Sequence, residues 1–237
     1  MAQSGETVAQ SKGLQGVAAD FASDQRAFKN VPWGKAMMWI FLVSDTFIFS
    51  CFLVGYMVVR NSTQVPWPEP SHVFALSFGG DPIPLILIAI MTFILISSSG
   101  TMAIAVNMGY RQNRKAAGLL MLATAVLGAS FVGMQAFEWT KLIVEEGVRP
   151  WGNPMGSAQF GATFFMITGF HGFHVSIGVL FLFITSYRCM RGDFDPPGRR
   201  GFWTSRRGNY EQVEIMGLYW HFVDLVWVFI FAFFYLW

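Results

Sequence analysis

Six carboxylic and imidazole side chains stand inside apolar stretches of this sequence, where lipid-facing or core residues would be expected. Asp45 lies in MWIFLVSDTFIF, and Glu138 stands in FVGMQAFEW three residues after Gln135. His171 and His174 share GFHGFHVSIGVL, and His221 and Asp224 follow Trp220 in YWHFVDLVW. Residues three apart share a helical face. A histidine next to a carboxylate can hold a charge, pass a proton, or satisfy both groups. His171, His174, His221 and Asp224 would also make a His-rich metal set with one carboxylate. A helix, however, usually presents a metal pair as His at i, i+4 or as Glu-x-x-His, and neither spacing occurs. His171 and His174 cannot straddle one haem, although histidines from different helices could. The remaining reading is a set of buried polar groups tying helices to each other, to a partner or to a lipid headgroup. We therefore expect no metal and no catalytic group in this chain, and take Asp45 as a buried carboxylate that must be protonated or face protein, water or a polar partner.

The elements that must position these groups are long and apolar. Of the 237 residues, 54% are hydrophobic and 13% charged, against about a quarter charged in an ordinary soluble domain. That composition makes lipid the solvent. Crossing ~30 Å of hydrocarbon takes ~20 helical residues. Five stretches qualify, at about Ala36–Val59, Pro82–Asn107, Ala116–Phe137, Phe160–Tyr187 and Ile215–Trp237. The expected class is all-α, a bundle of five transmembrane helices spanning residues 34–237 behind a polar tail, residues 1–33. The segments VPWPEPSH and GDFDPPGRRGFW read as turns rich in Pro and Gly. Gly169, Gly172 and Gly178 would let a neighbouring helix approach the paired histidines, and small residues at 97–100 and 128–130 would do the same in the second and third spans.

Charge gives the expected orientation. With the N-terminus inside, 13 of the 16 Lys and Arg residues fall on inner segments, leaving only Arg60, Lys141 and Arg149 outside. That asymmetry places the N-terminus in and the C-terminus out. The net charge of +2 is small and confined to loops, which excludes a nucleic-acid footprint. Cys51 and Cys189 have no CxxC partner, so neither a disulfide framework nor a structural zinc is expected. The N-terminus has no apolar core of a signal peptide.

Four segments, MWIFLVSDTFIF, FVGMQAFEW, GFHGFHVSIGVL and GLYWHFVDLVWVFIF, resemble subunit III of the haem-copper respiratory oxidases, in family order and over roughly residues 34–237. The five-span length is similar to the bacterial form. The resemblance implies a subunit without haem or copper of its own, those groups being held by partner subunits, in the bacterial inner (plasma) membrane. It implies that the chain packs on subunit I, with subunit II and small subunits as further partners. It also implies that the chain holds ordered phospholipid, supports proton uptake into subunit I and protects the complex during turnover. The longer, seven-span form makes a lipid cleft from its two extra helices; here one arm of such a cleft would have to come from another subunit, or the cleft would be open. Many cytochrome c oxidases carry Glu at the family position where this chain has Asp45, and aspartate resembles some quinol oxidases. The first reading is subunit III of a cytochrome c oxidase, with a quinol oxidase as its close rival. Two further readings are an accessory subunit of nitric oxide respiration and a stand-alone proton carrier. Glu138, His171, His174, Trp220, His221 and Asp224 are expected to bridge helices or lipid headgroups.

Overall fold

The computed structural model describes residues 31, 33–69, 73–78, 81–154, 156–195 and 210–237. Nearly all of the expected N-terminal tail and most of GDFDPPGRRGFW lie outside these residues. Among the described residues there are five helices, α1 Trp33–Ser62, α2 Ile86–Tyr110, α3 Arg114–Val144, α4 Ala158–Arg191 and α5 Glu211–Phe231, the last continuing as a π-helical turn, Ala232–Leu236. All five are long and apolar enough to cross a membrane.

One expectation needs correction. Helix α2 begins at Ile86, not Pro82, because Asp81–Pro84 forms a strand, β2, paired antiparallel with β1, Ala75–Phe78. The residues dictate this. Pro82 and Pro84 lack backbone N–H groups, and Pro84 disfavours helical backbone at Ile83. An edge of a two-stranded hairpin tolerates them. Leu85, in the left-handed region at φ 60°, then turns the chain into α2. The other end of α2 is as tight. Gln112 is also left-handed, with φ 56°, and its N–H donates to the Gly109 carbonyl at 2.9 Å. Asn113 caps α3 by accepting the Ala116 N–H at 3.2 Å. Three residues therefore reverse the chain, and α2 and α3 pack as antiparallel neighbours.

Helix α5 is the centre of the bundle. It packs on α1, α2 and α4, while α3 closes the far side by packing on α2 and α4. Half of the most apolar window of α5 is buried, against 17% for α1. The outer faces carry exposed Phe47, Phe93 and Phe173, as suits helices whose surroundings are apolar. Without a hydrophobic force between helices in lipid, close packing and hydrogen bonds must hold them. Trp220 and Trp227, both fully buried, supply each. Trp220 Nε1 donates to Ser98 Oγ at 2.9 Å and Trp227 Nε1 to Thr92 Oγ1 at 3.0 Å, so two rungs tie α5 to α2. The Trp220 ring lies against the backbone of α3 and α4. A Cβ on Gly128 would stand 2.4 Å from Trp220 Cη2, and one on Gly178 would stand 3.0 Å from Trp220 Cζ3. Gly169 sits under Trp139, whereas Gly172 has open space beside it. The histidine-flanking glycines therefore do not act alike.

The ends of the helices marked by Lys35, Arg111, Arg114, Arg188, Arg191 and Glu214 lie together. There Lys35 pairs with Glu214, joining the starts of α1 and α5. Arg114 meets Asp195 at 3.3 Å, and the Tyr210 hydroxyl donates to Asp195 Oδ1 at 2.6 Å. Burial, aided by the carboxylate acceptor, pushes the Tyr210 phenol above its ordinary range, so it stays a donor.

The packing of Trp220 generates a contrast. Gly128→Ala is expected to destabilise the bundle by about 1–3 kcal/mol, the usual cost of overpacking. Gly133→Ala, whose Cβ meets nothing within 4 Å, is expected to stay within about 0.5 kcal/mol of the wild type. Denaturant unfolding of the purified chain in mild detergent measures both.

Candidate functional site

Asp45, His174 and Tyr219 form the first buried polar group. Asp45 projects from α1 and is 2% exposed. Its Oδ2 lies 3.4 Å from His174 Nε2 on α4, longer than a good hydrogen bond, and has no other partner in the chain among the described residues. The opposite imidazole nitrogen is already engaged, with Nδ1–H donating to the Phe170 carbonyl at 2.8 Å. Tyr219 on α5 donates its hydroxyl to the His174 carbonyl, also at 2.8 Å. With Nδ1 so committed, Nε2 is the imidazole atom that faces the carboxyl. Phe41, Phe49 and Phe170 surround the ring, with centroid distances of 6.4, 5.6 and 4.7 Å. They exclude water from the contact and strengthen its electrostatics.

His171 is one turn away but belongs to a different set. Its Nε2–H donates to the Val223 carbonyl of α5 at 3.2 Å. Its Nδ1 is buried without a hydrogen bond, and its ring packs against Phe131 and Trp227. The two histidines read together in the sequence therefore do separate things: His174 faces α1 and His171 ties α4 to α5.

The pair read in α5 is indirect as well. His221 Nδ1 meets Ser99 Oγ of α2 at 2.5 Å. The Ser99 hydroxyl also lies beside the Asp224 carboxyl, although neither Asp224 oxygen has a hydrogen bond of good geometry. Ser99 thus stands between the two residues. Glu138 is better satisfied. Gln135 Nε2 donates to its Oε2 at 2.7 Å and the Tyr235 hydroxyl to its Oε1 at 3.1 Å, joining α3 to the π-helical end of α5.

No group of three or more His, Cys, Asp and Glu close enough to hold a metal ion occurs among the described residues. Ser98, Ser99, Thr92, Tyr219 and Tyr235 were not singled out as polar partners from the sequence. The run Ser97–Ser99 read as small packing residues. Three hydroxyls in a helix without charges, facing a helix that carries His, Asp and Trp, were the available signal.

The fold and site define a multi-pass helical membrane protein with polar groups bridging its helices. Residues 24–237 match the family model described as cytochrome c oxidase subunit III. The chain is 32% identical over 194 residues to quinol oxidase subunit 3 of Bacillus spizizenii, covering 82% of each protein. It is 30% identical over 198 residues to the probable quinol oxidase subunit 3 of Staphylococcus aureus, covering 84% of this chain and 86% of that one. The chain belongs to the cytochrome c oxidase subunit III family and is a subunit III of a haem-copper oxidase. Chains of this family carry no redox centre of their own, and membership implies association with the oxidase complex.

The Glu138 cluster yields a direct test. Tyr235→Phe removes one of the two donors to a buried carboxyl and should cost about 1–3 kcal/mol. In a double-mutant cycle with Glu138→Gln, unfolding in detergent should show a coupling of at least about 0.5 kcal/mol; strict additivity would mean that the contact contributes nothing.

Proposed function

We propose that this chain is the non-redox subunit of an oxidase that takes electrons from a quinol, that it packs on subunit I in a bacterial plasma membrane, and that Asp45 supports proton uptake there. Residues 1–33 would form a cytoplasmic tail and the five spans would run N-in, C-out, in line with the positive-inside distribution of Lys and Arg. Bound phospholipid would fill open faces of the bundle.

The observation that carries the proton-uptake reading is the Asp45–His174 contact at 3.4 Å. A carboxyl and an imidazole face each other among aromatic rings, on the helix that is least buried among the described residues. Such a pair can gain or lose a proton without a second charged group moving. His171, Trp220, His221, Asp224 and Glu138 serve in this reading as helix-bridging residues, which hold α4 and α5 in place behind the pair.

The choice of donor draws on relatives. The sequence by itself ranks cytochrome c first. The two relatives from Bacillus and Staphylococcus carry the name quinol oxidase subunit 3, and Asp45 in place of Glu agrees with that choice.

Purification in mild detergent through a tag on this chain tests the reading. Haem-bearing and copper-bearing partners should copurify, and the complex should consume oxygen with a reduced quinol analogue. Turnover with reduced cytochrome c alone would overturn the choice of donor, and a colourless chain would overturn the whole reading. Within the active complex, Asp45→Asn should leave subunit composition intact and shorten the number of turnovers before inactivation by a few-fold. Loss of the complex in that variant would assign Asp45 a purely structural role.

A further inference from the structure

Around α5, α1 and α2 leave one side uncovered among the described residues. Tyr219 stacks on Phe41 of α1, while Trp220 and Trp227 bond α2. Between those flanks runs the stripe Leu218, His221, Leu225, Val228, with Phe222 and Phe229 along its edge. Its spacing of three, four and three residues is that of a helix seam made for a partner helix. Leu225 and Val228 are 55% and 43% exposed, and Leu218 and His221 are partly buried at its nearer end. Ile96 of α2, 57% exposed, lies one turn from Ser99 beside the stripe.

His221 is the polar member of this seam. Its Nδ1 is held by Ser99, which fixes the ring, and Nε2 has no hydrogen bond among the described residues. Six residues of helix separate it from Ile215, where the apolar span begins, about 9 Å at helical rise. At that depth lipid tails offer neither donor nor acceptor, and an unpaired polar group in hydrocarbon is unfavourable. A polar residue at one seam position is also the device that sets register between paired helices.

We infer that this stripe seats a transmembrane helix from another subunit of the oxidase, one with small or aliphatic residues along its seam and a single hydrogen-bonding side chain opposite His221. The inference rests on the subunit reading above and adds the face through which the chain docks. Family membership supplies the kind of partner, the missing bond at His221 supplies its chemistry, and the seam spacing supplies its shape.

The test uses the intact complex. A benzophenone amino acid is placed at Leu225, and separately at Val126, an exposed position of α3 (54%) on the far side of the bundle. After illumination, Leu225 should crosslink to another polypeptide of the complex and Val126 should not. In parallel, His221→Leu should lower the partner retained after a stringent detergent wash by roughly threefold, the scale of one interhelical hydrogen bond in lipid. His221→Gln, which keeps a polar side chain, should retain it. Circular dichroism of each variant identifies loss of the fold. A haem-bearing complex that copurifies but gives no protein crosslink at Leu225, or a crosslink from Leu225 to a second copy of this chain, overturns the docking face alone. Equal retention of folded His221→Leu and wild type overturns the role of His221. If no haem-bearing subunit copurifies with the wild type, the subunit reading falls and the docking face with it.

Discussion

Two buried indoles reach from α5 to hydroxyls on α2, and the bundle is arranged around them. In water, five apolar helices would be driven together whatever their detail. In lipid the tails are as apolar as leucine, so the helices associate only through close packing and hydrogen bonding. Trp220 meets both needs in one side chain, with Nε1–H on Ser98 and its ring against Gly128 and Gly178. The indole reaches three neighbouring helices, and this is why α5, the shortest α-helix of the five, is also the most enclosed.

That central placement organises the ionisable groups. His171 donates to the α5 backbone at Val223, and Tyr219 of α5 donates to the carbonyl of His174. Each α4 histidine is thus fixed from α5, one through its ring and one through its backbone. Glu138 is held from the end of α5 by Tyr235. The packing that joins the helices therefore also sets the orientation of the ionisable side chains, so that second-neighbour residues govern where His174 can point.

Helix α1 stands apart from this rigid arrangement. It is tied by Lys35 to Glu214 at one end, by Asp45 to His174 in the middle, and by Tyr56 packed on Phe234, 4.1 Å between ring centroids, towards the other end. Two of these ties involve charged or chargeable groups, and Phe41, Phe49 and Phe52 add ring contacts to α4 and α5. A helix attached in this way has fewer apolar contacts resisting small displacements than one locked between neighbours. Asp45 lies on the helix that is least buried among the described residues.

Much of the architecture was legible in the sequence. The five spans, their all-α class and the residues out of place in lipid follow from hydropathy and length, because a membrane imposes one thickness and one solvent on every span. The start of α2 was not, since an apolar count cannot tell a strand containing Pro82 and Pro84 from the first turn of a helix. The pairings escaped for a different reason. Spacing in sequence put His171 with His174 and His221 with Asp224, as same-face neighbours on one helix. Tertiary packing sent His174 to Asp45, His171 to the backbone of α5, and put Ser99 between His221 and Asp224. Residue types determined which groups needed partners in lipid. Only the rotation and approach of whole helices, set by glycine contacts and two tryptophans, decided which partners they received.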